Sequence, residues 1–483
     1  MAGDRVSRDD RADRTPADGA DPTRCGCAGK TPLRRVVLPA RDRVADALGG
    51  TSVELGADAD AAVLPTADSP TRIERATEAV ALDGTPLSVP FDDGDDAHSA
   101  AERDRSAPVV TLACAVLGDD LADPDRLGDA LATAYGGLDG PDVRIGKGHA
   151  VQVPGASGGR LWVEHLRPEP DAGGGAVPDD GSAADSDYEG RAVAANVDAV
   201  HAFPVLDPPT QARIAVLNAL NDAHAVGATV RRTVRPLVAT PHGGEPEPGR
   251  VTGWYREGVP ADVTVLPPST VSHDGDGWLL GASVAAAGGH VAEGATPPAL
   301  PGECEVLLTR PLGGLACFAR GVVAGEGDRR ERGLAALRRD TRPVAEAVDS
   351  LRPASGEAFD PARHVARVTD VSGEGIAGLG RLAAAEGRSL RLRRLPLLTG
   401  AEAAAEAWTV PDATVETNGP LAVFAAPAVL GELADGLRGV DGADPRRVGS
   451  LDEVGPAILD ATDGALARAV EPAARWPTAG DSR

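Results

Sequence analysis

Residues 192–227 read AVAANVDAVHAFPVLDPPTQARIAVLNALNDAHAVG, and no other stretch restricts the fold as strongly. A near-continuous apolar run that carries Asp198 towards its end and leads into a Pro-rich turn predicts a buried strand. The residues after it repeat apolar side chains at helical spacing until Gly227 stops them. A strand and a helix that each have an apolar face to bury must stack in layers, which selects an α/β or α+β architecture.

The rest of the chain extends the pattern. RRVVLP at 34–39 predicts a short strand, 40–50 a helix stopped by glycine, and 54–66 a strand entered through an acidic turn. Residues 66–106 read as acidic loop. Strands are predicted at 107–118, 142–154 and 159–169, and a helix with an Asp cap and a Gly stop at 123–137. Residues 169–189 are rich in Gly, Asp and Ser and read as a flexible loop. Strands at 277–289 and 304–314 flank the linker ATPPALPGE, which marks a boundary near 300. Beyond it, helices at 331–351, 375–387 and 427–440 alternate with strands at 421–427 and 447–451. No internal repeat is evident in the sequence.

At 483 residues the chain is long enough for two or three domains with separate cores. Residues 1–24 are charged and lack apolar periodicity, so they are expected to be disordered. With 73 acidic against 48 basic residues, the net charge is -25. Such a surface repels nucleic acid and anionic membranes, and it suits a protein kept soluble in concentrated salt, as in a halophile. No run of 18 apolar residues occurs and no apolar leader precedes the first cysteine, so a soluble cytoplasmic protein is expected. Five cysteines, an odd number, argue against a disulfide framework.

The candidate chemistry is concentrated in a few segments. RCGCAGK at 24–30 sets Cys25 and Cys27 beside Lys30, in a chain whose only other lysine is Lys147. A nearby ammonium lowers a thiol's pKa, and a compact ammonium at a phosphate or thiolate is not replaceable by arginine. The alternatives are two incidental surface thiols or half of a metal site. Asp58 and Asp60 in GADADAAV put two carboxylates at the mouth of a strand, where they either hold Mg²⁺ with a nucleotide's phosphates or form a solvated turn. Asp198 and Asp370 repeat the carboxylate at a strand end, and Gly373 and Gly375 after Asp370 allow a backbone to approach a ligand closely. Asn218 and Asp222 stand one helical turn apart on one face. The nine histidines form no metal-site cluster, and no Walker A loop or GxSxG elbow appears.

Taken in order, these segments resemble the selenophosphate synthetase (selenide, water dikinase) family of the aminoimidazole-ribonucleotide-synthetase-like (PurM-like) superfamily. CGCAGK is similar to that family's Cys-Gly-Cys-Lys with Ala28 and Gly29 inserted. GADADAAV resembles Gly-Asp-Asp-Ala-Ala-Val, and VDAVHAFPVLDPPTQARIAVLNALND resembles its Val-Asp-Phe-Phe-Thr-Pro segment and following helix. PGECEVLLTRPLGG, VTDVSGEGIAGLG and TNGPLAVFAAP match later landmarks in the same order.

The resemblance implies a two-domain α+β fold: an N-terminal mixed sheet that forms a dimer barrel, from 25–65 and 190–298, and a layered C-terminal domain at 299–475, with 66–189 inserted. It also implies a homodimer, with ATP and Mg²⁺ between the domains and a selenide or sulfide substrate, and no nucleic-acid or membrane partner. Cys25, Cys27 and Lys30 would handle chalcogen and phosphate. Asp58, Asp60, Asp198, Asn218, Asp222, Asp370 and Gly373 would bind ATP and metal, with Asp60, Asp198 and Asp370 as metal ligands. Alternatively, the strand bearing Lys147 and His149 is the counterpart of the family's acidic strand.

Overall fold

The computed structural model describes residues 15–17, 20–22, 24–31, 36–48, 61–64, 71–82, 109–136, 143–145, 149–170, 192–288, 298–354, 357–373, 375–401, 414–452 and 458–459. In chain order, α1 (Leu38–Leu48) precedes β1 (Ala62–Leu64). The chain then runs through β2 (Thr71–Ala81), β3 (Val109–Leu117), α2 (Pro124–Gly136), β4 (Val143–Ile145), β5 (His149–Gln152) and β6 (Gly159–Pro170). It returns beside β1 as β7 (Ala192–His201) and continues through α3 (Pro208–Ala225), β8 (Val230–Pro241), α4 (Pro248–Gly258), β9 (Thr264–Val265), β10 (Ser269–His273) and β11 (Leu279–Gly288).

The last third holds β12 (Glu305–Leu308), α5 (Gly314–Ala324), α6 (Gly327–Leu337), α7 (Arg342–Asp349), β13 (Arg367–Asp370), α8 (Ile376–Ala385), β14 (Ser389–Leu392), β15 (Leu421–Ala425), α9 (Pro427–Leu437), β16 (Arg446–Asp452) and β17 (Ile458–Leu459). The fold is α+β, with three mixed sheets among the described residues.

The first sheet has the order β1-β7-β11-β8-β10, with β9 also on β8. The alternation of β7 explains why both of its faces are buried. Val193, Ala195, Val197 and Ala199 face the second sheet, whereas Asn196 and Asp198 face α3. The second sheet, β2-β6-β3-β4 with β5 also on β3, lies on the first through Leu112, Cys114, Val116, Val151 and Trp162. Its outer face is covered by α1 and α2.

On the other side of the first sheet, α3 begins at Asp207, whose side chain accepts from the Thr210 N–H at 2.8 Å, and Pro208 occupies the first turn. Most of α3 is buried, because it sits between the first sheet and the C-terminal layer. The third sheet, β13-β15-β12-β16-β14-β17, packs α7 and α9 on one face and α8 on the other.

Three sequence expectations change. Residues 36–39, read as a strand, begin a helical segment instead, because Val36, Ala40 and Val44 fall at helical spacing and enter the core against α2. The acidic region 66–106 contains an eleven-residue strand, β2, paired along its length with β6. The helix expected over 331–351 is two, and α7 restarts with Pro343 in its first turn, where proline's missing N–H costs nothing. The flexible loop expected over 169–189 falls, from 171 on, outside the described residues.

Candidate active site at the junction of the layers

The segment 24–31 is docked rather than loose. Gly26 exchanges two backbone hydrogen bonds with His201 at the end of β7, at 2.9 and 3.2 Å, and the Thr31 N–H donates to the Ala150 carbonyl of β5 at 3.0 Å. The Cys27 N–H donates to Thr417 Oγ1 at 2.8 Å, so the C-terminal layer holds the loop as well. Gly26 has φ 60°, and a Cβ there would lie 2.3 Å from Thr417 Oγ1 and 2.9 Å from Phe203 Cζ. Glycine is therefore required at this position on two counts.

Docking brings the sequence candidates together. Lys30 Nζ donates to Asp198 Oδ2 at 2.8 Å, and Asn218 Nδ2 donates to the same oxygen at 2.5 Å. Asn218 Oδ1 accepts from the Asn418 N–H at 2.6 Å and from the Cys27 thiol at 3.7 Å. One amide thus ties the loop, α3 and the segment before β15. A turn further along α3, Asp222 Oδ2 accepts from Asn196 Nδ2 at 2.5 Å. Gly373 lies against the loop: a Cβ there would be 3.2 Å from Lys30 Cδ and 3.6 Å from Cys27 Cβ. Asp370, at the end of β13, bears electrostatically on Cys27. Asp58, Asp60 and Lys147 lie outside the described residues, and His149 is placed only as the first residue of β5.

The thiols are not activated in this closed arrangement, which corrects the expectation of a lowered pKa. Burial pushes Cys27 up to about 11; Lys30 pulls it down, but Asp198 and Asp370 add to the rise. Burial, with Asp21, raises Cys25 further. The ammonium has been engaged by a carboxylate instead. Burial opposes the charge on Lys30, yet Asp198 outweighs it and holds the ammonium above its ordinary value. Of the two cysteines, Cys27 is the one on which Lys30 acts.

Sequence reasoning marked 417–427 only as a landmark of the resemblance and assigned no role to Glu416 or Asn418, although residues 416–418 are all buried. Glu416 accepts from the N–H groups of Gly313, Gly314 and Leu315, the start of α5, the last two at 2.9 and 3.3 Å. Burial raises its carboxyl pKa, while Arg310 and those three donors pull it back. Asn418 has φ 52° and donates to the carbonyls of Leu337 and Arg339, both at 2.8 Å. The Asn-Gly pair at 418–419 is the signal that could have marked this left-handed position.

Asp198, Asp222 and Asp370 supply the hard oxygen donors that magnesium takes. Among the described residues, however, no group of three or more His, Cys, Asp or Glu side chains comes close enough to hold a metal ion. Asp198 is already engaged by Lys30 and Asn218. The described residues alone do not form a magnesium site.

No family model and no curated protein matches the sequence. Among solved structures, the chain is similar to the hydrogenase maturation protein HypE, at 14% identity over 58% of this chain and 85% of that one, with a TM-score of 0.43. It is similar to a thiamine-monophosphate kinase from Stenotrophomonas maltophilia K279a, at 17% identity, 54% and 83% coverage and a TM-score of 0.38. A third is AaThiL complexed with AMPPCP and TMP, at 13% identity, 57% and 85% coverage and a TM-score of 0.41. All three are distant likenesses. Among the described residues no helix is long and apolar enough to cross a membrane.

Proposed function

We propose that the chain is an ATP-dependent phosphotransferase that activates a reduced chalcogen, selenide or sulfide, as a phosphorylated donor. The observation that carries this reading is the docking of the Cys-Gly-Cys loop, with Lys30 on Asp198 at 2.8 Å and the Cys27 thiol on Asn218. A thiol, an ammonium and the Asp198 carboxylate meet through Asn218 where the loop docks on β7 and α3.

Opening of the loop frees each group for its task. Cys27 leaves its buried position, and its thiol donates a hydrogen bond to the selenide or sulfide anion and holds it towards the phosphate, with no change in the oxidation state of either. Lys30 leaves Asp198 and neutralises phosphate charge, while Asp198 and Asp370 gain freedom to bind the nucleotide's counterion, with a third carboxylate from Asp58 or Asp60. Reclosure then excludes water from the reacting phosphate. In the net reaction, ATP, the chalcogenide and water give the phosphorylated chalcogen, AMP and orthophosphate.

A second reading, a nucleotide-binding scaffold without catalysis, draws on the raised thiol of Cys27 in the closed loop. ATP turnover in concentrated KCl with MgATP, with and without added selenide or sulfide, separates the two. The phosphotransferase produces AMP only with a chalcogen, Asp370→Asn abolishes turnover, and Cys27→Ser leaves wasteful hydrolysis. Full turnover in Asp370→Asn removes that carboxylate from the site, and ATP binding without turnover under every condition supports the scaffold.

A further inference from the structure

The second sheet repeats the first. In the first sheet β7 is antiparallel to β11, β11 is antiparallel to β8, and β8 is parallel to β9 near its start and to β10 near its end. In the second, β2 is antiparallel to β6, β6 is antiparallel to β3, and β3 is parallel to β4 near its start and to β5 near its end. The chain visits these positions in the same order, with α4 after β8 and α2 after β3.

The displacement between counterparts is nearly constant. First residues differ by 121 for β2 and β7 (71 and 192), 121 for β3 and β8 (109 and 230), and 124 for α2 and α4 (124 and 248). They differ by 121 for β4 and β9 (143 and 264), 120 for β5 and β10 (149 and 269), and 120 for β6 and β11 (159 and 279). At the displacement of 124, Pro124 and Arg126 fall on Pro248 and Arg250.

The two units also pack as a two-fold pair. β5 packs on β7, and their counterparts β10 and β2 pack on each other, the reciprocity that marks an isologous contact. Equivalent turns meet as well: Ser157, between β5 and β6, donates its N–H and hydroxyl to Asp274, between β10 and β11, at 2.9 and 2.6 Å. Buried charges cross between the sheets, where Arg75 on β2 binds Glu164 on β6 and Thr233 and Ser283 on the first sheet. α1 lies beside α2 as α3 lies beside α4, although α1 precedes β2 in the chain whereas α3 follows β7.

We infer that residues 71–170 are a second copy of the unit at 192–288 and occupy, within one chain, the face on which a second subunit would sit. The functional unit is then a single chain. The copy also serves the candidate site: Lys30 forms a bridge with Val151 of β5, and the ring Nε2 of His201 bonds the Gln152 carbonyl at 2.9 Å, so the seat of loop 24–31 is shared between the two units. This inference replaces the homodimer that the family resemblance implies, and it does not depend on the proposed reaction.

The test is light scattering of the full chain in concentrated KCl over a hundredfold range of concentration, together with a cross-link. Ser157→Cys/Asp274→Cys, treated with a short bismaleimide, joins the two equivalent turns at an exposed position. The expected results are the mass of one chain throughout and a cross-link confined within each chain, with 157 joined to 274. A two-chain mass across the range, or a product linking 157 of one chain to 274 of another, overturns the inference.

Discussion

Asp198→Asn removes the counter-charge of Lys30 and keeps the side chain's volume. The Lys30 side chain is 14% exposed and that of Asp198 1%, at 2.8 Å separation. At an effective dielectric of about 20, the gross attraction is roughly 6 kcal/mol, much of it offset by desolvation of both ions. Stranding one buried charge costs about 3–5 kcal/mol, so the single variant is expected to lose about 3 kcal/mol of unfolding free energy. Lys30→Met/Asp198→Asn removes both charges and should recover about 2 kcal/mol of the summed losses.

Urea unfolding at constant KCl measures the cycle. The Lys30 pKa is raised above 10.5, so its contribution is complete below that value and fades only as pH rises through the higher folded one. The cycle should therefore be unchanged between about pH 7 and 9. A coupling below about 0.5 kcal/mol, the level of an exposed pair, would refute the buried pairing on which the closed loop depends.

Three further outcomes follow from the same geometry. Gly26→Ala places a methyl against Thr417 and Phe203 in a left-handed conformation, so the loop should undock; iodoacetamide should modify Cys27 at least about tenfold faster, the factor that 1.4 kcal/mol supplies. Burial lowers His224 to about 3 and His273 to about 4, so both are neutral when folded, and stability should fall as pH drops from about 6.5 towards 4. Each histidine accounts for about 2 kcal/mol at pH 5, and His273→Asn should flatten the urea-unfolding profile by that amount. Gly373→Val crowds Lys30 and Cys27 from the other side and should likewise speed Cys27 alkylation.

Much of the site was legible because its residues sit at ends of strongly patterned elements. Asp198 lies in the apolar run of β7, Asn218 and Asp222 share a face of α3, and Gly373 follows the strand bearing Asp370. The α+β layering was legible for the same reason. Composition said less about what those groups would do to one another: Lys30 was read as a partner for thiolate or phosphate, and only the fold shows Asp198 taking it first.

Glu416 and Asn418 were missed because their roles come from contacts with α5 and α3 far away in the chain. β2 was missed because its alternation of Arg and Glu with small apolar residues reads as surface until β6 pairs with it. The repeat was hidden because strand pairing conserves apolar faces rather than residue identity, and of the positions compared only Pro124 and Arg126 keep their partners' identities.

The central claim is that the docked Cys-Gly-Cys loop serves transfer of a phosphoryl group to a chalcogen. Phosphorus NMR of the full chain with MgATP in concentrated KCl, adding selenide and then sulfide, addresses it directly. The account predicts a new P–Se or P–S resonance with equal amounts of AMP, lost in Lys30→Met. Conversion of ATP to ADP and orthophosphate alone, at the same rate with and without chalcogen, would contradict it.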